Sequence, residues 1–143
     1  GEGRGSPRPE MEELTPEVRV AYKKEQGNAS FKAGDFQQAA VLYTEAVLLD
    51  ASDHALFSNR AAAFLKLGQP GKALEDADKC VGLQRDFVKG HFRRAVALIA
   101  LDRLQEAGEA LAVTLRLDPH NKEAAASMHM LQAKAARART SSG

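Results

Sequence analysis

Residues 36–47 read FQQAAVLYTEAV, and two later segments follow the same pattern: PGKALEDADKCV at 70–81 and LQEAGEALAVTL at 104–115. The segments begin 34 residues apart, and small or apolar residues predominate at offsets 0, 3, 4, 7, 10 and 11. This spacing places the matching residues on one face of an α-helix. A fixed period of this length with paired helices indicates a solenoid, in which each repeat packs on its neighbours.

Turn and capping residues recur with the same period and mark the expected helix ends. Thr15 and Pro16 suit the start of the first helix, whereas Gly34, Gly68 and Asp102 take the turn position inside the three repeats. Pro70 and Pro119 are expected at the first position of a helix, and the expected N-caps are Asp35, Asp53, Asp86 and Asp118. We predict helices at about 16–33, 36–50, 54–67, 70–83, 87–101, 103–117 and 119–137.

Small residues recur where two helices of one repeat must approach closely. The first helices carry Gly27, Ala61 and Ala95, and the second helices carry Ala39, Ala73 and Ala107. The last helix has an apolar face that would cover the open end of the third repeat, formed by Ala124, Ala125, Met128, Leu131 and Ala135. The sequence therefore predicts an all-α fold of three helix-turn-helix repeats plus a C-terminal capping helix.

The predicted domain covers about residues 16–137 of the 143 in the chain. Its repeats span about 20–53, 54–87 and 88–121, and the capping helix about 119–137. Residues 1–15 are expected to be a disordered leader, because Gly, Pro and Arg without periodicity open the chain, and residues 138–143 a disordered tail.

Composition excludes several classes of protein. The net charge of +1 gives no overall bias toward nucleic acid, and the single cysteine excludes an internal disulfide. No apolar run approaches the ~20 residues of a membrane span, and no signal peptide is visible. These features favour a cytoplasmic protein with no membrane partner, which we expect to be a monomer.

Five polar residues on the first helices share one register across the repeats. Lys24 and Asn28 are four residues apart, as are Lys89 and Arg93, so each pair shares a helix face. Asn59 lies 35 residues after Lys24 and 34 before Arg93, at nearly the same phase. Stacking would align three cationic groups and two amides along one groove, which would suit a carboxylate ligand.

At these positions the chain resembles the carboxylate-clamp class of tetratricopeptide-repeat domains found in co-chaperones. The matching segments are Lys24-Glu25-Gln26-Gly27-Asn28, Ser58-Asn59-Arg60-Ala61-Ala62 and Lys89-Gly90-His91-Phe92-Arg93-Arg94. The resemblance implies that Lys24, Asn28, Asn59, Lys89 and Arg93 bind the carboxylates of a C-terminal Glu-Glu-Val-Asp tail. It further implies that the partners are cytosolic heat-shock chaperones of the seventy- and ninety-kilodalton classes.

The chain departs from the general repeat pattern outside those positions. Lys23, Phe57 and His91 stand where tryptophan is expected early in each repeat, and the proline expected at each repeat end appears only as Pro119. Five further residues have two possible roles. Lys32 and Lys66 would extend the basic groove or form a solvated face. Phe31, Leu65 and Phe92 would contact the peptide or pack in the core.

No catalytic or metal-binding pattern is visible in the sequence. Cys80 occupies the position of Ala46 in the first repeat, which favours a small buried hydrophobe over a reactive thiol. The four histidines lack metal-ligand spacing, and neither a phosphate-binding glycine loop nor a nucleophile with its base is present. We therefore predict a non-enzymatic peptide-binding module without cofactor or metal.

Two alternatives to the clamp remain open. The groove could bind an internal segment of another partner, in which case binding would survive Arg93→Ala and ignore free C-termini. The chain could also be the docking part of a larger enzyme, such as a prolyl isomerase or phosphatase. Nucleic-acid binding is disfavoured because the basic strip is short and lacks interleaved aromatic residues.

Overall fold

The structure is a computed structural model, and it describes residues 13–142 of the chain. Within these residues the backbone forms seven α-helices and no strand. Their bounds are α1 Pro16–Lys32, α2 Phe36–Leu49, α3 His54–Lys66, α4 Pro70–Leu83, α5 Val88–Ala100, α6 Leu104–Leu117 and α7 Lys122–Ser142. The predicted all-α solenoid of helix pairs is confirmed, and the first six helices differ from the predicted bounds by a single residue at most.

Several helices begin as their residue types predict. The Thr15 hydroxyl accepts a hydrogen bond from the Val18 amide at 3.3 Å, and Pro16 occupies the first turn of α1. Asp35 caps α2 by accepting from Gln38 N at 3.0 Å, and Asp53 caps α3 in the same way. Each cap satisfies an amide that has no partner within its own helix.

Two of the four predicted aspartate caps are wrong. The residue before α5 is Phe87, and the Asp86 carboxylate instead accepts a hydrogen bond from the Gln84 side chain at 2.7 Å. Asp118 ends α6, since its backbone N–H still donates to Thr114 O at 2.8 Å.

The capping helix starts later than predicted because a turn separates it from α6. The Asn121 amide donates to Asp118 O at 3.1 Å, so Pro119 lies in this turn and not in the helix. The Asn121 side chain then accepts from Ala124 N at 2.9 Å and caps α7. Asparagine and aspartate are about equally favourable N-caps, and Asp118 and Asn121 lie within four residues of each other, so residue type alone did not identify the cap.

The turn inside each repeat uses the left-handed backbone conformation that the sequence pattern requires. Gly34 has φ 83° and Gly68 has φ 70°. Asp102 takes the same position in the third repeat with φ 59°, a conformation that aspartate adopts more readily than most residues. This conformation ends the first helix of each repeat and lets the chain turn back to form the second.

The predicted small residues lie between paired helices. The five alanines of the set are completely buried, and Gly27 is buried with them: Ala39, Ala61, Ala73, Ala95 and Ala107. Two adjoining hydrophobic clusters result, one centred on the first two helices and the other on the third repeat. Close approach of the backbones is therefore the reason for the small residues at these positions.

Gly27→Ala is expected to destabilise the fold by about 1–3 kcal/mol through overpacking. A Cβ at position 27 would lie 2.6 Å from Cε1 of the buried Tyr43 ring. Gly108→Ala is the matched control, because its nearest obstacle is a Leu131 methyl at 3.5 Å. It should stabilise the helix by roughly 0.5–1 kcal/mol. Chemical denaturation measures both changes, and equal effects of the two variants would contradict the packing explanation.

The last helix covers the third repeat but is longer than predicted. Ala124 is completely buried, and Met128 and Leu131 pack beside it on the core, whereas Ala125 is exposed. Helix α7 continues through residues 138–142, which were predicted to be a disordered tail. The run of alanine and arginine before them consists of strong helix formers, which explains the extension. The predicted disordered leader lies largely outside the described residues, which begin at 13.

Candidate functional site

The inner face of the solenoid carries a groove made of two adjoining cavities. Both are lined by Phe31, Ala62 and Arg93, which come from α1, α3 and α5. The larger cavity has a volume of about 670 Å³ and extends to the start of α7. The groove is therefore built mainly from the first helices of the repeats, which stacking brings side by side.

Four of the five predicted clamp residues line this groove. Asn28, Asn59 and Arg93 surround the smaller cavity, and Lys89 with Arg93 borders the larger one. Lys24 is not among the residues that line the two cavities, and its ammonium pairs with the Asp53 carboxylate at 3.5 Å. The same aspartate caps α3, so the backbone holds the partner of Lys24 in place.

The two asparagines are connected at the floor of the groove. Asn28 Oδ1 accepts a hydrogen bond from the Tyr43 hydroxyl at 2.5 Å and a longer one from Asn59 Nδ2 at 3.4 Å. Tyr43 lies on α2 and is only 2% exposed, so its hydroxyl reaches the groove from beneath. Three helices thus contribute to one hydrogen-bonded cluster.

Arg93 is held by a buried hydroxyl of the neighbouring helix. Its Nη1 donates to Ser58 Oγ at 2.5 Å, and Ser58 is completely buried. Burial lowers the pKa of the Arg93 guanidinium, and Glu123 is among the nearby groups that oppose the shift. Arginine stays protonated in proteins, so the groove retains a partly desolvated cation with several unused donors.

The five further candidates also lie along the groove. Lys32 borders the smaller cavity and Lys66 the larger one, where its ammonium stands 5.9 Å from the centre of the Phe36 ring. Phe31, Leu65 and Phe92 line the groove and also pack on the hydrophobic core. Each of these three side chains is half-buried, so the two roles considered for them are compatible.

Sequence reasoning missed the residues that support the site. In the repeat pattern Tyr43 falls on the apolar face of its helix and Ser58 merely precedes Asn59, so neither is singled out as part of the site. The acidic residues Asp118 and Glu123, with Asn121, line the far end of the larger cavity. A signal for Tyr43 existed, because it is the only member of its repeat position that carries a polar group; the equivalents are Ala77 and Leu111.

The cysteine and two of the histidines make packing contacts or hydrogen bonds within the fold. Cys80 is completely buried, and burial raises the pKa of its thiol to about 11, so the thiol is protonated near neutral pH. His91 Nε2 lies 2.7 Å from the Arg85 carbonyl oxygen, and His54 packs edge-on against Phe87. Among residues 13–142 no group of three His, Cys, Asp or Glu side chains is placed to hold a metal ion. None of the described helices is long and apolar enough to cross a membrane.

Paired helices with a 34-residue period, and an inner groove lined by both charged and apolar side chains, define a helical-repeat scaffold of the kind that binds extended ligands. The chain belongs to the tetratricopeptide-repeat domains. It is 32% identical to the first TPR of Spaghetti (RPAP3) bound to the HSP90 peptide SRMEEVD, with a TM-score of 0.82 over 83% of this chain and 94% of that one. The second TPR domain of human RPAP3, in complex with the HSP70 peptide SGPTIEEVD, is 30% identical, with a TM-score of 0.80 over 82% of this chain and 98% of that domain.

Curated relatives are considerably longer than this chain. The protein STIP1 homolog of Dictyostelium discoideum is 40% identical over 100 residues, which cover 70% of this chain but 18% of the relative. The chain thus spans less than a fifth of that relative's length. No family model matches the chain.

Proposed function

We propose that the chain is a co-chaperone or adaptor module that binds the C-terminal Glu-Glu-Val-Asp tail of cytosolic heat-shock chaperones through a carboxylate clamp. The observation that carries this proposal is the convergence of Asn28, Asn59, Lys89 and Arg93 on one groove. The similarity of this chain to TPR domains bound to HSP90 and HSP70 peptides supports the same class of ligand. The proposed module is non-enzymatic and cytoplasmic.

The donors of the groove differ in ways that suit a peptide terminus with two carboxylates. Arg93 offers a planar fork that can bind a carboxylate through two parallel hydrogen bonds. Lys89 is exposed at the groove edge and supplies a compact charge, whereas the two asparagines supply neutral N–H donors. A free main-chain carboxylate and an aspartate side chain would together engage all four residues.

Lys24 completes the proposed clamp through an exchange of partners. Its ammonium is 3.5 Å from the Asp53 carboxylate, and both side chains remain partly exposed. Ion pairs with this exposure contribute little to stability, typically about 0–1 kcal/mol. A peptide carboxylate could therefore share or replace Asp53 as the partner of Lys24 at small cost.

Calorimetric titration of SRMEEVD and SGPTIEEVD, each as the free acid and the C-terminal amide, tests the proposal. Loss of one charge-assisted contact should weaken binding by about 1.5–3 kcal/mol, roughly 10- to 150-fold. Both free acids should therefore bind much more tightly than their amides. An amide that binds as tightly as its acid would refute the clamp and favour recognition of an internal segment.

The length of the relatives supports a second possibility, that the module works within a longer protein. The chain matches 18% of the Dictyostelium relative, so a segment of this kind can form one part of a larger assembly. In that case the groove would bind the chaperone tail and so bring the chaperone close to another domain of the same protein, such as an enzyme. Titration of the free-acid peptides with the 143-residue chain alone tests whether the module binds without contacts from another part.

Glu123→Gln is expected to strengthen binding of the acidic tail by about two- to fivefold at low salt. Glu123 lines the larger cavity close enough to Arg93 to influence its pKa, so it repels a carboxylate ligand. Glu109→Gln on the exposed face of α6 removes the same charge and is the control. Titrations at low and high salt measure the difference, which should shrink as salt rises. Equal changes in both variants would indicate a general charge effect.

A further inference from the structure

A tyrosine hydroxyl in the groove donates a hydrogen bond to the side-chain amide of Asn28, one of the predicted clamp residues. Tyr43 is 2% exposed, and its ring packs on Gly27, where no side chain intervenes. This close contact brings the hydroxyl across the Gly27 backbone to the side chain of Asn28, the next residue of α1. The nearly buried tyrosine therefore contacts a predicted clamp residue at the wall of the smaller cavity.

The first repeat differs from the others at all three of these positions. One repeat later, Gly27, Asn28 and Tyr43 become Ala61, Ala62 and Ala77; two repeats later they become Ala95, Val96 and Leu111. A small or aliphatic residue is therefore enough for packing at the position of Tyr43. The glycine, the amide and the phenol occur together in the repeat where the polar cluster forms.

The hydrogen bonds define the orientation of the Asn28 amide. Both of its neighbours, the Tyr43 hydroxyl at 2.5 Å and Asn59 Nδ2 at 3.4 Å, approach Oδ1. A side-chain amide has one acceptor end and one donor end. With the oxygen engaged by these two donors, the NH₂ group is left for a ligand in the groove.

We propose that Tyr43 is a positioning residue of the clamp, holding Asn28 with its NH₂ group toward the ligand carboxylate. This inference rests on the proposed carboxylate-binding function. Without the hydroxyl, the amide is free to turn its oxygen toward the ligand, where two acceptors repel each other. Burial raises the pKa of Tyr43, so the phenol keeps the proton that it donates to Asn28.

Tyr43→Phe tests this role because it keeps the ring that packs on Gly27. The free-acid SRMEEVD peptide should bind about three- to tenfold more weakly, the loss expected for one hydrogen bond, with little change for its amide. Tyr22→Phe is the control, since Tyr22 is the other of the two tyrosines and is 42% exposed. The acid-to-amide affinity ratio should fall in Tyr43→Phe and stay unchanged in Tyr22→Phe.

The outcomes separate this inference from the proposed function. If the unaltered chain shows no preference for the acid, the clamp itself fails. If the chain prefers the acid and Tyr43→Phe keeps the same ratio, or weakens both peptides equally, only the positioning role is overturned. An Asn28→Ala background should abolish the effect of Tyr43→Phe, and additive losses would also overturn the proposal.

A measurement on the unaltered chain keeps the inference testable if Tyr43→Phe does not fold. Nuclear Overhauser contacts report which end of the Asn28 amide lies next to the Tyr43 ring. The Asn28 Hδ2 protons should lack strong contacts to the Tyr43 ring protons, because the oxygen faces the phenol. Strong contacts would show the reversed amide and overturn the proposal.

Discussion

Replacing Asp76 by alanine is expected to destabilise the fold by about 3–5 kcal/mol, because it leaves a buried cation without its partner. The Asp76 carboxylate accepts two hydrogen bonds from Arg60, from Nε at 2.8 Å and from Nη2 at 2.7 Å. The two side chains are only 17% and 7% exposed. Arg60 also donates to Thr44, so the loss would loosen the connection among α2, α3 and α4.

A more exposed ion pair on the same helix supplies a control for this prediction. Arg94 and Asp78 form an ion pair between α5 and α4 at the same distance, 2.7 Å, but Asp78 is 53% exposed. Asp78→Ala should cost less than about 1 kcal/mol. Denaturant unfolding compares the two variants, and similar losses would contradict the importance of burial.

A paired replacement distinguishes the cost of breaking the ion pair from its net contribution. Burial raises the pKa of Asp76 even though Arg60 opposes the shift, so desolvation outweighs the attraction. Arg60→Met combined with Asp76→Leu should therefore restore most of the stability lost in Asp76→Ala. If the double variant is as unstable as Asp76→Ala, the pair itself contributes net stability.

Arg93→Ala is expected to weaken binding of the free-acid tail by about 10- to 150-fold, the effect of removing a hydrogen bond to a charged group. Arg93 borders both cavities of the groove, and its Nη1 is anchored by Ser58. Its guanidinium is thus already held at the groove before any peptide binds. Calorimetric titration measures the loss, and circular dichroism checks that the helices persist.

Two further variants sharpen the interpretation of Arg93→Ala. Arg94→Ala removes the same charge from the next residue of α5, which pairs with Asp78, and should leave affinity within about twofold. Arg93→Lys keeps the charge but loses the planar fork, so it should restore only part of the affinity. Equal losses in Arg93→Ala and Arg94→Ala would point to general electrostatic attraction.

Helix positions were predictable because local rules determine them. Six helices begin and end where periodicity and turn residues indicate, and Asp102 adopts the backbone conformation of Gly34 as its position requires. The failures occurred at Asp86 and Asp118, where several residues could end or cap a helix. Both Asp118 and Asn121 are residue types that can cap α7. Asn121 is the cap, because a turn from Asp118 to Asn121 delays the start of the helix.

The candidate site was only partly predictable. The register of Asn28, Asn59 and Arg93 follows from the repeat period, so their meeting in one groove could be expected. The phenol that engages Asn28, the hydroxyl that holds Arg93 and the aspartate that pairs with Lys24 come from other helices or other turns. These contacts depend on distances between side chains of different helices, and the spacing of residues along the sequence does not determine those distances.

The amino-acid pattern alone predicts the repeat, the helices and the shared face of the polar residues along the first helices. These properties follow from periodicity and capping, which act over a few residues. The folded arrangement is needed to show that Lys24 pairs with Asp53, that the Tyr43 hydroxyl donates to Asn28, and that acidic residues line the far end of the groove. The linear pattern does not contain these contacts, because hydrogen bonds and desolvation depend on which groups packing brings within a few ångströms, whatever their separation along the chain.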